Sequence, residues 1–181
     1  MKIINNELIR SLTPCYYPTR YVTDENETLS VLEWVNKYRG TVPDKDIIWL
    51  LCHKEFLSDK DLRLFAVWCA RESLNLIDNP DPRSIEACNV AERYANGEAT
   101  RAELEEARYH ASNAAYAAAT RCAARAAHAA ADAARAAADA GYAAYAVATR
   151  CAARAAADAG YAAYHAATRA SQLDKLLTYF K

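Results

Sequence analysis

Glycine and proline are scarce in this sequence, at 4 and 5 of 181 residues. So few turn-formers argue against a loop-rich fold and against a glycine-cradled phosphate site. An excess of one charge is also missing: 22 basic residues face 23 acidic ones, for a net of −1. No global field therefore points to nucleic acid or to a membrane surface. The six cysteines (Cys15, Cys52, Cys69, Cys88, Cys122, Cys151) form no CxxC pair, and no histidine stands at zinc-finger spacing from them. Reduced thiols acting as small apolar residues are expected. The opening "MKIINNELIR" lacks the apolar run of a signal peptide, and the alanine-rich part is interrupted by charges too often to span a bilayer. A soluble, cytoplasmic protein is the expectation. Walker, GxGxxG, HExxH and GxSxG motifs are absent from the sequence. His53, His110, His128 and His165 are scattered, and Cys52 and His53, as helix neighbours, would point about 100° apart. No catalytic residue, metal or cofactor is expected.

What the sequence does contain is helix punctuation. "SDKDLRLFAVWCARESLNLI" opens on Ser58, with Asp61 in the place of a capping-box partner. Leu62, Phe65, Val67, Trp68, Cys69 and Leu76 then form a broad apolar face at helical spacing. "DPRSIEACNVAERYANG" sets Pro82 at a first helical position after Asp81 and stops at Gly97. Thr100 and Glu103 in "TRAE" make a second capping box. Upstream, "NETLSVLEWVNKYRG" and "PDKDIIWLLCHKEFL" read as two more helices, the first closed by Gly40. Asp44, Asp46, Asp59 and Asp61 fall before or within first turns, where carboxylates suit the helix dipole. Trp34, Trp49 and Trp68 are spread over three helices and fit one shared core. No alternating strand pattern occurs, so an all-α fold is predicted.

From Thr120 to Arg169, 27 of 50 residues are alanine, the best helix former and one that lets helix axes approach closely. Arg121, Arg125, His128, Asp132, Arg135, Asp139 and Tyr142 follow 4-3-4-3-4-3 spacing and fall in one stripe. "TRCAAR" recurs at 120–125 and 149–154, close to a whole number of turns apart, whereas "GYAAY" recurs at 141–145 and 160–164, about 100° out of phase. A straight helix cannot present every copy alike, and fifty residues would reach about 75 Å. Folding back into hairpins near Gly141 or Gly160 is therefore predicted, with self-association into a homo-oligomer. The expected organisation is a helical domain over residues 1–98 followed by alanine-rich helices over 99–181 packed on it.

Two sets of residues are candidates for binding. Arg121, Arg125, Arg135, Arg150 and Arg154, with Tyr142 and Tyr161, offer bidentate anion binding and aromatic stacking. They could hold a small nucleotide or the acidic face of a protein, or simply form a solvated face that keeps an alanine helix in solution. Asp132, Asp139 and Asp158 would repel phosphates along a groove, so nucleic acid is not expected. The second set is "LTPCYYPTRYV", residues Leu12–Val22. Tyr16, Tyr17, Arg20 and Tyr21 either grip a partner from an exposed loop or pack as a lid over the first helices.

"DKDLRLFAVWCARESL" and "NPDPRSIEACNVAERYANGEATRAELEEAR", followed by the alanine tract, resemble a bacterial and phage family of immunity proteins, immunity-protein-five-like. The resemblance covers roughly residues 44–170 and is most specific over Trp49–Leu51, Cys69–Arg71 and Ile85–Arg101. It implies an all-helical, non-catalytic protein of bacterial conflict that binds a toxin or defence effector stoichiometrically. Phage-borne relatives could instead neutralise a host defence protein or sequester a nucleotide signal. Three functions are thus expected from this sequence: toxin or effector inhibitor, nucleotide sponge, or structural helical oligomer.

Overall fold

The computed structural model describes residues 2–14, 17–76, 79–117 and 162–181. Among them are seven α-helices: α1 (Asn6–Ser11), α2 (Val31–Tyr38), α3 (Asp44–Leu51), α4 (Asp59–Leu74), α5 (Pro82–Ala95), α6 (Arg101–Ala117) and α7 (Ala162–Leu177). Short 3-10 turns lie at Pro18–Arg20 and Thr178–Phe180. The protein is all-α, with one small correction. β1 (Ile3–Ile4) pairs antiparallel with β2 (Leu29–Ser30), Ile3 opposite Ser30 and Ile4 opposite Leu29. Two residues are too few to show an alternating pattern, which is why the sequence is silent there. The predicted stripe, both copies of "TRCAAR", the first copy of "GYAAY" and the predicted bends near Gly141 and Gly160 lie outside the described residues, and of the second "GYAAY" only Ala162–Tyr164, which open α7, are described.

Helix ends follow side-chain chemistry. Ser30 and Glu33 form a complete capping box, with the Ser30 amide donating to Glu33 Oε2 (2.9 Å) and the Glu33 amide to Ser30 Oγ (3.3 Å). This box starts α2 at Val31, later than the stretch "NETLSVLEWV" suggested. Thr100 and Glu103 repeat the arrangement at α6, at 2.7 and 3.3 Å. At α4, Ser58 Oγ accepts from the Asp61 amide (3.1 Å), but the shorter aspartate takes the Ser58 hydroxyl (2.6 Å) instead of the backbone. Asp81 caps α5, with Pro82 at its first position. Past the end of α5, Glu98 donates to the Arg93 carbonyl (2.8 Å) and Gly97 to the Tyr94 carbonyl (3.0 Å). That is a Schellman closure, and it needs the positive φ of 79° that Gly97 supplies. Helix α3 stops sooner than predicted. His53 turns its Nδ1 back onto the Trp49 and Leu50 carbonyls (2.8 and 3.1 Å), which closes the last turn, and "HKEFL" runs on as turns.

Two apolar clusters share α4 as a common wall. Leu62, Phe65, Ala66 and Cys69 face the first, with Trp34, Ile47, Ile48, Leu51 and Phe56. Val67, Ala70 and Leu74 face the second, with Ala87, Cys88, Ala91, Leu104, Ala107 and Ala111 of α5 and α6. At 100° per residue the two faces of α4 lie roughly 120° apart. The single broad face read from the sequence is therefore two faces. Leu76, predicted within it, lies beyond the helix end and is exposed. All three tryptophans do meet in the first cluster, Trp34 fully buried and Trp49 and Trp68 at its edge.

The second cluster is built largely from small side chains, and α5 lies close to both α4 and α6. Ala87, Ala91 and Ala111 have no exposed surface. Enlarging such a site forces neighbouring side chains off their rotamers. Ala111→Leu is expected to cost about 1–3 kcal/mol in urea unfolding, whereas the same change at exposed Ala102 should stay within about 0.5 kcal/mol.

Helix α7 returns from the far end of the chain to the first cluster. Leu173 and Leu176 are wholly buried there, Gln172 Nε2 lies 3.7 Å from Cys69 Sγ, and Arg39 Nη1 pairs with Asp174 Oδ1 at 2.7 Å. Helix α6 meanwhile packs on α5. Both described flanks of the alanine tract are thus held on the helices that precede them.

Candidate partner-binding surface

Of the stretch Leu12–Val22, the part from Tyr17 onward is ordered by proline. Pro18 is buried and opens the 3-10 turn; Arg20 donates to the Tyr17 carbonyl (2.9 Å), and Tyr21 and Val22 donate to that of Pro18 (3.1 and 3.0 Å). Val22, 3% exposed, plugs the turn into the first cluster. Asn6 Nδ2 holds the irregular segment that follows, at 3.3 Å from the Val22 carbonyl and 3.4 Å from that of Asp24. The backbone carrying Tyr17 and Arg20 is therefore fixed at several points before any partner arrives.

The two readings of this stretch divide between its residues. Tyr21 is lid-like: half-buried against the first cluster, it hydrogen-bonds Asp46, and the Arg20 guanidinium lies 5.6 Å from its ring centre. Tyr17 is 85% exposed. Arg20 is exposed beside it. Of the other candidates, Tyr16, Arg121, Arg125, Arg135, Tyr142, Arg150, Arg154 and Tyr161 lie outside the described residues.

Asp46 is the residue whose part the sequence understated. Its place in the first turn of α3 fits the dipole reading, yet its side chain is turned inward and only 8% exposed. Burial pushes its carboxyl above the usual range, while the charges of Lys45, Arg169 and Arg20 and the Tyr21 hydrogen bond pull the other way. Asp46 on α3 thus accepts a hydrogen bond from Tyr21 at the end of the 3-10 turn and feels the charge of Arg169 on α7. A carboxyl whose folded pKa lies above its unfolded value binds its proton more readily when folded, so its ionisation subtracts stability as pH rises through the folded value. Wild type should therefore gain stability relative to Asp46→Asn as pH is lowered from neutral through the carboxylate range. Urea midpoints of the two proteins across that range measure it, and a constant difference refutes it.

The thiols and histidine nearby offer little reactivity. Cys52, Cys69 and Cys88 are buried thiols. Burial raises the Cys52 thiol far above its ordinary value and pushes Cys88 up to about 11, and a thiol so protonated is a poor nucleophile. His53 is committed to the end of α3. Among the described residues no group of His, Cys, Asp and Glu could hold a metal ion, and no helix is long and apolar enough to cross a membrane. What the surface offers is recognition: the exposed Tyr17 phenol on the turn, and the Arg20 guanidinium and Lys45 ammonium, whose charges reach the buried Asp46 carboxyl. Comparison with protein families, curated proteins and solved structures returned no match.

Proposed function

We propose that this protein is a non-catalytic inhibitor in bacterial and phage conflict, neutralising a toxin or defence effector by stoichiometric binding. The observation that carries the reading is Tyr17, 85% exposed beside Arg20 on a turn fixed by Pro18 and Val22. Tyrosine and arginine dominate interface hot spots. A pre-ordered backbone spares the partner complex the entropy of ordering a loop. The resemblance of residues 44–170 to immunity proteins supplies the biological setting. With Arg20 and Lys45 on the surface, the fitting partner face is acidic with a slot for a phenol ring.

The test is native mass on protein purified from its bacterial host, for wild type, Tyr17→Ala and Arg20→Ala. Wild type should carry a partner protein at a fixed ratio. Tyr17→Ala should weaken that complex by about 2 kcal/mol or more, roughly 30-fold in Kd. A partner held equally by both variants would move the interface away from this turn. A nucleotide released by heat, and lost in Arg121→Ala or Arg150→Ala, would replace the inhibitor with the sponge. A homo-oligomer with neither partner nor nucleotide would favour the structural reading.

A further inference from the structure

Pro18 and Val22 fix the backbone of the Tyr17 turn, but backbone bonds do not orient a long side chain. Arg20 is exposed, and an arginine left to itself samples many rotamers that a partner must then freeze. Here the guanidinium has a rest: it lies 5.6 Å from the centre of the Tyr21 ring, within cation–π range. That ring is half-buried against the first cluster, and its hydroxyl donates to the Asp46 carboxyl. Carboxyl, phenol and guanidinium form a chain that runs from the interior to the surface.

Asp46 is a costly residue to bury at this place. Asp44 stands in the same first turn of α3 and is less buried, so the helix dipole has a carboxylate without Asp46. The Asp46 side chain is 8% exposed, and burial opposes its charge. What the charge gains is orientation. A carboxylate accepts the Tyr21 hydroxyl more strongly than a neutral group would. It also draws Arg20 directly, together with Lys45 of α3 and Arg169 of α7.

We propose that Asp46 is a positioning residue of the partner-binding surface, holding the Arg20 guanidinium, through the Tyr21 phenol, in the posture in which a partner meets it. The proposal rests on the reading of Tyr17 and Arg20 as the binding pair and deepens it. Stability given up at a buried carboxylate is returned as a pre-oriented arginine.

The test needs no partner: nitrogen-15 relaxation of Arg20 Nε in the full chain, for wild type, Tyr21→Phe, Asp46→Ala and Asp46→Asn. Tyr21→Phe keeps the ring and its core contacts and removes only the hydroxyl, so it tests the chain even where Asp46→Ala folds poorly. In Tyr21→Phe and Asp46→Ala the Arg20 Nε order parameter should fall from its wild-type value to under about 0.6, the flexible range. Backbone amides from Thr19 to Val22 should stay near about 0.85. Asp46→Asn, which still accepts from Tyr21 but carries no charge, should recover part of the loss. Arg20 Nε already as mobile in wild type, or unchanged in both Tyr21→Phe and Asp46→Ala, overturns the proposal. Loosening of the turn backbone together with Arg20 also overturns it, since Asp46 would then be structural. Failure of the binding reading shows elsewhere, as a partner held equally by Tyr17→Ala and Arg20→Ala, so the two are told apart.

Discussion

Leu173→Ala should lower the unfolding free energy by about 2–5 kcal/mol, the range for removing a wholly buried leucine whose surroundings cannot collapse. The side chain has no exposed surface and lies beside equally buried Leu176 in the first cluster. Two other contacts dock α7 on the same side, and they differ in kind. The Arg39–Asp174 pair is close, at 2.7 Å, but its side chains are 37% and 62% exposed, and pairs so wet contribute about 0–1 kcal/mol. The Gln172 contact with the Cys69 sulfur is buried but involves a weak acceptor. The leucines therefore dominate. Asp174→Ala should cost under about 1 kcal/mol, and Leu173→Ala several times more, both read from urea unfolding followed by far-UV circular dichroism. If the two variants cost the same, α7 is held by its surface charges and the buried seam contributes little.

The return of α7 is also where the sequence was least informative. Helix starts were legible where a side chain closes the backbone locally: Ser58, Asp81 with Pro82, and Thr100 with Glu103 all act within three residues of themselves. Gly97 was legible for the same reason, because only a residue at ease with positive φ completes that closure. Contacts between distant segments leave no such mark. Nothing in "SQLDKLL" shows that Leu173 belongs beside α3 and α4, and a period of 3.6 cannot distinguish one buried face of α4 from two. The end of α3 was missed because His53 acts as a cap through its ring, and "CHKEFL" carries no glycine or proline to announce it. The candidate surface was half legible. Two prolines beside aromatic and basic residues marked the turn, but which tyrosine points out and which packs inward depends on Asp46 and α7. A cleft lined by Lys2, Phe56, Asp61 and Phe180 was not legible at all, since its walls come from the two ends of the described chain and from α2 to α4 between them.

Trp34→Ala is expected to cost about 3–5 kcal/mol, and its effect should reach both clusters. The indole is 2% exposed and packs on Tyr38 with ring centres 5.0 Å apart. The Tyr38 hydroxyl donates to Glu27 Oε2 (2.5 Å), and Lys37 pairs with the same carboxylate. Removing the indole therefore empties a core position and frees the ring that holds this strap. Trp34→Phe keeps an aromatic face toward Tyr38 and should recover part of the loss. The reach follows from α4. Phe65 and Leu62 belong to the Trp34 cluster, Val67 and Ala70 to the α5–α6 cluster, and all four stand on one sixteen-residue helix. A helix of that length is marginal without packing, so α4 cannot lose one wall and continue to support the other. In Trp34→Ala, native-state hydrogen exchange should show amides of α5 losing protection together with those of α2. If α2 loosens while α5 keeps its full protection, the two clusters are separate folding units and α4 does not couple them.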